Sequence, residues 1–266
     1  MLVGTKVQAV GIRKEYPAVR QNQGAVVALD GVDIAIDTGE FFAILGPSGC
    51  GKSTLLSIAA GLEPQSDGQV LIDGKPVLGP GADHAMCFQE HALFPWKTVW
   101  DNVEFGLRIR RKARQERHEI VSRYLEMVGL QGFANRYPHE LSGGMRQRCA
   151  LARTFALDTS LLFMDEPFAA ADAQTRNILQ EELLRIWDRP SGDRKTVAFV
   201  THSIDEAVFL ADRVAVMTAR PGRIFEVLEI PLPRPRNDNS RERPLFHQLV
   251  QHLWHQLRAQ AERSSW

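Results

Sequence analysis

The sequence predicts an α/β protein built on a mostly parallel sheet covered by helices on both faces, with a helical lobe inserted into it. Two observations lead there. Short apolar, β-branched runs bounded by Gly, Asp and Pro recur along the chain and alternate with longer segments of helical period. The alternation then breaks between residues 89 and 156, which read as helix after helix with basic clusters and no good strand.

Taken in order, the runs at 26–29 and 32–36 and the FFAIL run at 41–45 read as the first strands, and 52–60 as the first helix. Strands at 70–72 and 85–88 follow. The lobe supplies helices at 113–128 and 145–156. The alternation resumes with strands at 161–164, 197–200, 214–217 and 224–230, separated by helices at 173–187 and 204–211. PLPRPRNDNS is a Pro- and Arg-rich connector. After it Leu245, Phe246, Leu249, Leu253, Trp254 and Leu257 recur at helical spacing, which predicts a C-terminal helix docked on the core. The expected organisation is one domain, 1–266. Its α/β core is 1–88 and 157–232, its inserted helical subdomain 89–156, and its connector and terminal helix 233–266.

A chain of 266 residues can bury a sizeable core, and its 44% hydrophobic and 24% charged content is that of an ordinary globular protein. Thirty-two basic and thirty-two acidic residues cancel, so the field expected of a nucleic-acid binder is missing and no such partner is expected. Cys50, Cys87 and Cys149 form no CxxC pair, which argues against a metal knuckle or a disulfide framework and fits a reducing, cytosolic setting. No basic region followed by a long apolar stretch opens the chain, so no signal peptide is expected. The longest apolar runs fall far short of the roughly 20 residues that span a bilayer, so any membrane role would go through a partner.

After FFAIL comes GPSGCGKST: Gly46, Pro47, Ser48, Gly49, Cys50, Gly51, Lys52, Ser53 and Thr54, a fit to GxxxxGK[ST] between a strand and a helix. Such a loop curls so that successive N–H groups point at phosphate oxygens, and the helix dipole adds to the attraction. Lys52 can reach the β- and γ-phosphates and the Ser53 hydroxyl can ligate Mg²⁺, while Cys50 reads as a small filler. In phosphate-loop folds a second parallel strand ends in an acidic residue that holds Mg²⁺ through water, and LLFMD supplies Asp165. The chain turns there, so Glu166 can face the γ-phosphate and orient or deprotonate a water. In LSGGMRQR, Ser142, Gly143 and Gly144 precede a helix starting near Met145 and form a second anion site.

LSGGMRQR at 141–148 resembles the signature of ABC-type ATPases, and the remaining motifs stand in that family's order over nearly the whole chain. The resemblance implies a P-loop NTPase, RecA-like core with an N-terminal antiparallel β subdomain and an inserted helical subdomain. It implies ATP and Mg²⁺, and a head-to-tail dimer in which one cassette's signature closes over the γ-phosphate held by the other. It makes Gln89 the glutamine that touches Mg²⁺ and the water, and His202 the switch histidine that bonds the γ-phosphate and supports Glu166. Asp172 ends the aspartate loop and counts among the nucleotide-contacting residues, and Tyr16 stacks on adenine, its spacing to Lys52 stretched by the insertion-like VRQNQGAVV at 19–27. One departure stands out: FAAAD puts Ala171 where the family more often has leucine, which could loosen the contact between cassettes and favour a cassette that hydrolyses poorly.

Phe94, Pro95 and Trp96 form an apolar loop suited to docking. In ABC importers this lobe receives a short coupling helix from the membrane subunit. The LFPW loop, the DNVEFGL that follows and the terminal ARPGRIFEVLEIPLPRPR resemble the nitrate, sulfonate and taurine import group. That implies a bacterial importer subunit, peripheral on the cytoplasmic face of the inner membrane. Its partners would be a permease docked near Phe94 to Trp96 and a periplasmic solute-binding protein. The alternative is a soluble, non-transport ABC ATPase, but such proteins tend to carry two cassettes or long coiled-coil insertions and this chain shows neither.

Overall fold

The computed structural model describes residues 4–17, 25–188 and 194–263; most of the insertion-like stretch, 19–24, lies outside them. The chain begins with β1 (Thr5–Tyr16), β2 (Val26–Asp37), β3 (Phe41–Leu45), α1 (Lys52–Ala59), β4 (Asp67–Ile72), β5 (Lys75–Pro76) and β6 (His84–Cys87). Helices α2 (Val99–Ile109), α3 (Arg114–Met127) and α4 (Gly143–Ala156) come next, with two short 3₁₀ turns between α3 and α4. The chain then runs through β7 (Leu161–Asp165), α5 (Ala173–Trp187), β8 (Thr196–Thr201), α6 (Ile204–Leu210), β9 (Arg213–Met217) and β10 (Ile224–Glu229). It ends in α7 (Asp238–Arg241) and α8 (Pro244–Arg263).

A six-stranded sheet of order β10-β9-β3-β8-β7-β6 forms the centre, parallel throughout except for β10. Its strands FFAIL, LLFMD and TVAFVT are buried at every position, which is why they read as unbroken apolar runs: both faces of the sheet are covered. Successive residues of β3 serve opposite cores. Phe41, Ala43 and Leu45 join the helical side with α5, α6 and α8, and Phe42 and Ile44 join the side closed by α1 and the second sheet.

That second sheet is antiparallel, order β2-β1-β4-β5. The residue-by-residue reading names no strand before 26, and β1 shows why. Val7 and Ala9 point inward, but the register shifts around Gly11, after which Ile12 and Lys14 are the buried pair. The bulge inverts the phase of the alternation halfway along the strand.

The C-terminal connector is clasped by arginines. Arg236 is 6% exposed and donates to the carbonyl oxygens of Val208, Phe209 and Ala211 at the end of α6, and of Ile230 and Leu232. It satisfies orphan helix carbonyls at the cost of desolvation, which pulls its pKa down to about 9. On α8, Phe246, Leu249 and Leu253 enter the core, while Trp254, expected to join them, is 47% exposed. No helix among the described residues is long and apolar enough to cross a membrane.

Candidate active site

Three neighbouring strands deliver the site. Leu45 of β3 pairs with Thr201 of β8, and Asp165 of β7 pairs with Val200. Gly46, Glu166 and His202 therefore leave the sheet side by side at its carboxyl edge, where open α/β sheets place ligands.

The phosphate loop turns into α1 through Gly51, at φ 98°; a Cβ there would lie 2.6 Å from Leu29 Cδ2, so only glycine fits. Helix α1 has neither a side-chain cap nor an acidic first turn, which leaves its leading N–H groups for an anion. Lys52 is buried, its Nζ donating to the carbonyl oxygens of Gly46 and Pro47 at 2.8 and 3.0 Å. Cys50 is buried beneath the loop, and burial pushes its thiol pKa up, away from thiolate chemistry.

Ser53 Oγ donates to Asp165 Oδ1 at 2.9 Å. Asp165 is 6% exposed, and burial raises its carboxyl pKa, offset in part by the Ser53 hydroxyl and by Lys52. A desolvated carboxylate beside a hydroxyl, with no ion-pair partner among the described residues, fits a hard cation. No group of three or more His, Cys, Asp or Glu side chains among the described residues could hold a metal alone.

Glu166 adopts φ 44°, uncommon for a residue with a side chain, and its N–H donates to Val200 O at 3.0 Å. This left-handed step swings its carboxylate out of line with Asp165. His202 Nδ1 lies 2.9 Å from Glu166 Oε2. An ionised carboxylate only accepts, so Nδ1 carries the proton and Nε2 is left with a lone pair unless the ring is charged. Behind them Glu206, buried, accepts from the Thr201 hydroxyl at 2.6 Å and fixes the end of β8; burial raises its pKa.

A cavity of about 340 Å³ gathers Ser48, Gly49, Gly51, Lys52, Ser53, Thr54, Gln89, Glu166 and Tyr16. Val26, Ala28 and Arg220 complete its lining, none of which the sequence reading gave a site role. Tyr16 presents a partly exposed ring; its hydroxyl donates to Glu63 Oε1 at 2.6 Å, and Lys14 Nζ lies 5.0 Å from the ring centroid.

The remaining expected residues lie outside that cavity. Gly46, Pro47 and Asp165 stand behind its lining, and His202 reaches it through Glu166. Ser142 caps α4, its Oγ accepting from Met145 N, so Ser142, Gly143 and Gly144 form a separate anion-competent end. Asp172, expected to touch nucleotide, is the N-cap of α5: its exposed carboxylate accepts from Thr175 N at 2.9 Å, and that bond holds its pKa low. Ala171 is 5% exposed and packs in its own chain's core, whereas Ala169 and Ala170 are exposed. The missing leucine bulk is therefore a matter of core packing before it is one of contact between cassettes.

A larger cavity of about 600 Å³ lies between β6, α2 and α4, lined by Met86, Phe88, Phe94, Phe105, Ile109, Arg153 and Leu157 among others. Trp96 stands beside Phe94, ring centroids 5.7 Å apart, and is 72% exposed. Arg153 of α4 donates to the carbonyl oxygens of His91 and Ala92, tying the stretch after Gln89 to the signature helix. The loop itself hangs on Asn102, fully buried, which accepts from Phe94 N and donates to the carbonyl oxygens of Phe94, Lys97 and Thr98. Asn102→Ala removes the side-chain partner of Phe94 N and Lys97 O, while Phe94 O keeps the Lys97 N–H and Thr98 O the Asn102 N–H, so it is expected to cost about 2 kcal/mol, read by urea unfolding. A loss below about 0.5 kcal/mol would rule out this bracing.

Comparison with known proteins matches residues 29–169 to a family model described as ABC transporter. An uncharacterized ABC transporter ATP-binding protein of Methanocaldococcus jannaschii is 56% identical over 83% of this chain and 82% of its own. A nitrate import ATP-binding protein of Synechocystis is 49% identical over 79% and 78%. An aliphatic sulfonates import ATP-binding protein of Bacillus cereus is 45% identical over 87% and 90%. Among solved structures, the dimeric post-hydrolysis state of an ATP-binding cassette bound to ADP and Pi superposes with a TM-score of 0.76 at 31% identity, over 84% of this chain and 98% of that one.

Proposed function

The chain belongs to the ABC transporter family, and we propose that it is the ATP-binding and ATP-hydrolysing subunit of a bacterial importer. The observation that carries the hydrolytic reading is the Glu166 to His202 contact of 2.9 Å at the edge of the cavity lined by Lys52 and Ser53. In this reading the loop N–H groups receive the phosphates, and Lys52 exchanges its Gly46 and Pro47 carbonyl partners for β- and γ-oxygens. Ser53, Asp165 and Gln89 would hold Mg²⁺, which when bound supplies neutralisation of phosphate charge. Glu166 orients the attacking water and takes its proton, and His202 fixes the carboxylate while its other ring nitrogen faces the γ-phosphate. Tyr16 offers a stacking face to the adenine.

Ser142, Gly143 and Gly144 act on the partner cassette's nucleotide in a head-to-tail homodimer, a reading supported by their place outside this chain's own cavity and by the dimeric cassette it resembles. The apolar groove beside Phe94 and Trp96 receives a helix of a membrane permease, so that closure of the dimer on ATP drives the permease. Kinship with nitrate and sulfonate import proteins supports nitrate, sulfonate, taurine or a related small solute, delivered by a periplasmic solute-binding protein. The chain would then work peripherally at the cytoplasmic face of the inner membrane.

Affinity purification of the tagged chain from detergent-solubilised native membranes tests this. It is expected to recover an integral membrane subunit, and Trp96→Asp to recover at least about fivefold less of it, as a charge in an apolar hot spot predicts. Recovery of hydrolytically active chain with no membrane subunit would instead favour a soluble, non-transport ABC ATPase.

A further inference from the structure

The ARPGR stretch at 219–223 carries a resemblance in the sequence but no site role there, and it forms the floor of the phosphate loop. Strand β9 ends at Met217 beneath that loop, and the turn after it is tied to β2 and to itself. Gly222 N donates to Ala28 O at 2.9 Å, Asp30 N donates to Gly222 O at 3.1 Å, and Arg223 pairs with Asp30. Thr218 closes the turn, its N–H donating to Arg223 O and its hydroxyl to Pro221 O, both at 2.9 Å. Contact with the phosphate loop is close enough that a Cβ on Gly222 would come within 2.1 Å of Cys50 O. The turn is thus a fixed platform, and it carries one cation to the cavity.

That cation is Arg220. Its Nε donates to Gly49 O at 2.8 Å, and its Nη2 lies 3.0 Å from the position a Cβ on Gly49 would take. Among the described residues its terminal nitrogens take no other hydrogen bond and no carboxylate pairs with it, although it lines the same cavity as Lys52 and Ser53. One edge of the guanidinium is spent on holding the loop, and the rest takes no hydrogen bond among the described residues, in a residue that lines the cavity. A planar fork of N–H donors in that position suits phosphate oxygens better than a purine ring. The aromatic face for a base lies with Tyr16, held through Glu63.

We propose that Arg220 is a nucleotide-binding residue that contacts the polyphosphate of the bound nucleotide while anchoring the tip of the phosphate loop through Gly49. This rests on the reading of the cavity as the ATP site. It adds a second cation to the one the loop motif supplies, delivered from a distant part of the chain.

Calorimetric titration of ATP, ADP and adenosine into the wild type, Arg220→Lys and Arg220→Met tests it, with thermal melts to verify folding. The methionine variant is expected to weaken ATP and ADP binding about tenfold, the scale of one exposed charge-assisted hydrogen bond, with the lysine variant between it and the wild type. Adenosine affinity is expected to stay within about twofold of wild type, since adenosine lacks the polyphosphate that this contact would hold. ATP affinity unchanged in Arg220→Met, or an equal loss for adenosine, would overturn the proposal and leave the ATP site standing. A folded wild type that binds no ATP would overturn both. Should the methionine variant unfold, Arg220→Gln replaces it, with the same outcomes.

Discussion

Glu166→Gln is expected to lower steady-state ATP hydrolysis by about two to four orders of magnitude, the range a positioned general base contributes. The change is nearly isosteric. Gln keeps an oxygen that can accept from His202 Nδ1, now 2.9 Å from the carboxylate, so the geometry at the end of β7 should persist. It also tolerates the φ of 44° no worse than Glu does, so little strain is added. What disappears is the proton acceptor and a negative charge. Losing that charge beside the γ-phosphate removes repulsion, so ATP affinity should hold or improve while turnover falls, a split that separates a base from a structural residue. Radiolabelled ATP binding and phosphate release, measured on the same preparation, read both quantities. Hydrolysis within about threefold of wild type would remove Glu166 from the base role, since a general base contributes far more than that.

The phosphate loop and the acidic strand end were legible in the sequence because their meaning is local. A buried strand, a glycine-bearing turn and a helix are contiguous in residues 41–60, and the parallel sheet then brings Asp165 to Ser53. The place of Arg220 at the site was not legible, since 171 positions separate it from the Gly49 carbonyl it meets and the ARPGR pattern does not say that its loop folds back under another. Asp172 shows what local pattern does reach. An Asp placed just before a helical run is the ordinary sign of an N-cap, and the carboxylate does cap α5, whereas its place at a nucleotide came from the family likeness alone. In β1 the bulge at Gly11 reverses which residues point inward, hiding a twelve-residue strand from a test for strict alternation. Helix α2 was blurred by its aromatics: Trp100 and Phe105 pack partly outside the core, and only the Thr98 cap, accepting from Asp101 N at 3.1 Å, marks its start.

Trp187→Ala is expected to be the most destabilising single truncation in the fold, by about 3 kcal/mol and at most about 5. Trp187 ends α5 and is fully buried, its ring edge-on to Phe41 at 5.8 Å, while the Arg234 guanidinium lies 4.1 Å from its centroid. It therefore joins three distant pieces: the start of the phosphate-loop strand, the end of α5 and the C-terminal connector. Two effects oppose each other. Its indole Nε1 is buried with no hydrogen-bond partner among the described residues, so truncation relieves a desolvation cost of about 1 to 3 kcal/mol. Against that stand the cavity left by the largest side chain in the core and the loss of the aromatic and cation–π contacts. The cavity wins, which places the expected loss near the lower end of the range for large aromatic truncations. Arg234 keeps its bond to Asp212 at 2.6 Å, so the connector should stay docked and the loss should appear in global unfolding, not in release of α8. Urea melts followed by far-UV circular dichroism read the first, and limited proteolysis of the C-terminal segment reads the second. A loss below about 1 kcal/mol would mean that the unpaired indole offsets its own packing. Early cleavage ahead of α8 at unchanged global stability would mean that Arg234 depends on the ring more than on Asp212.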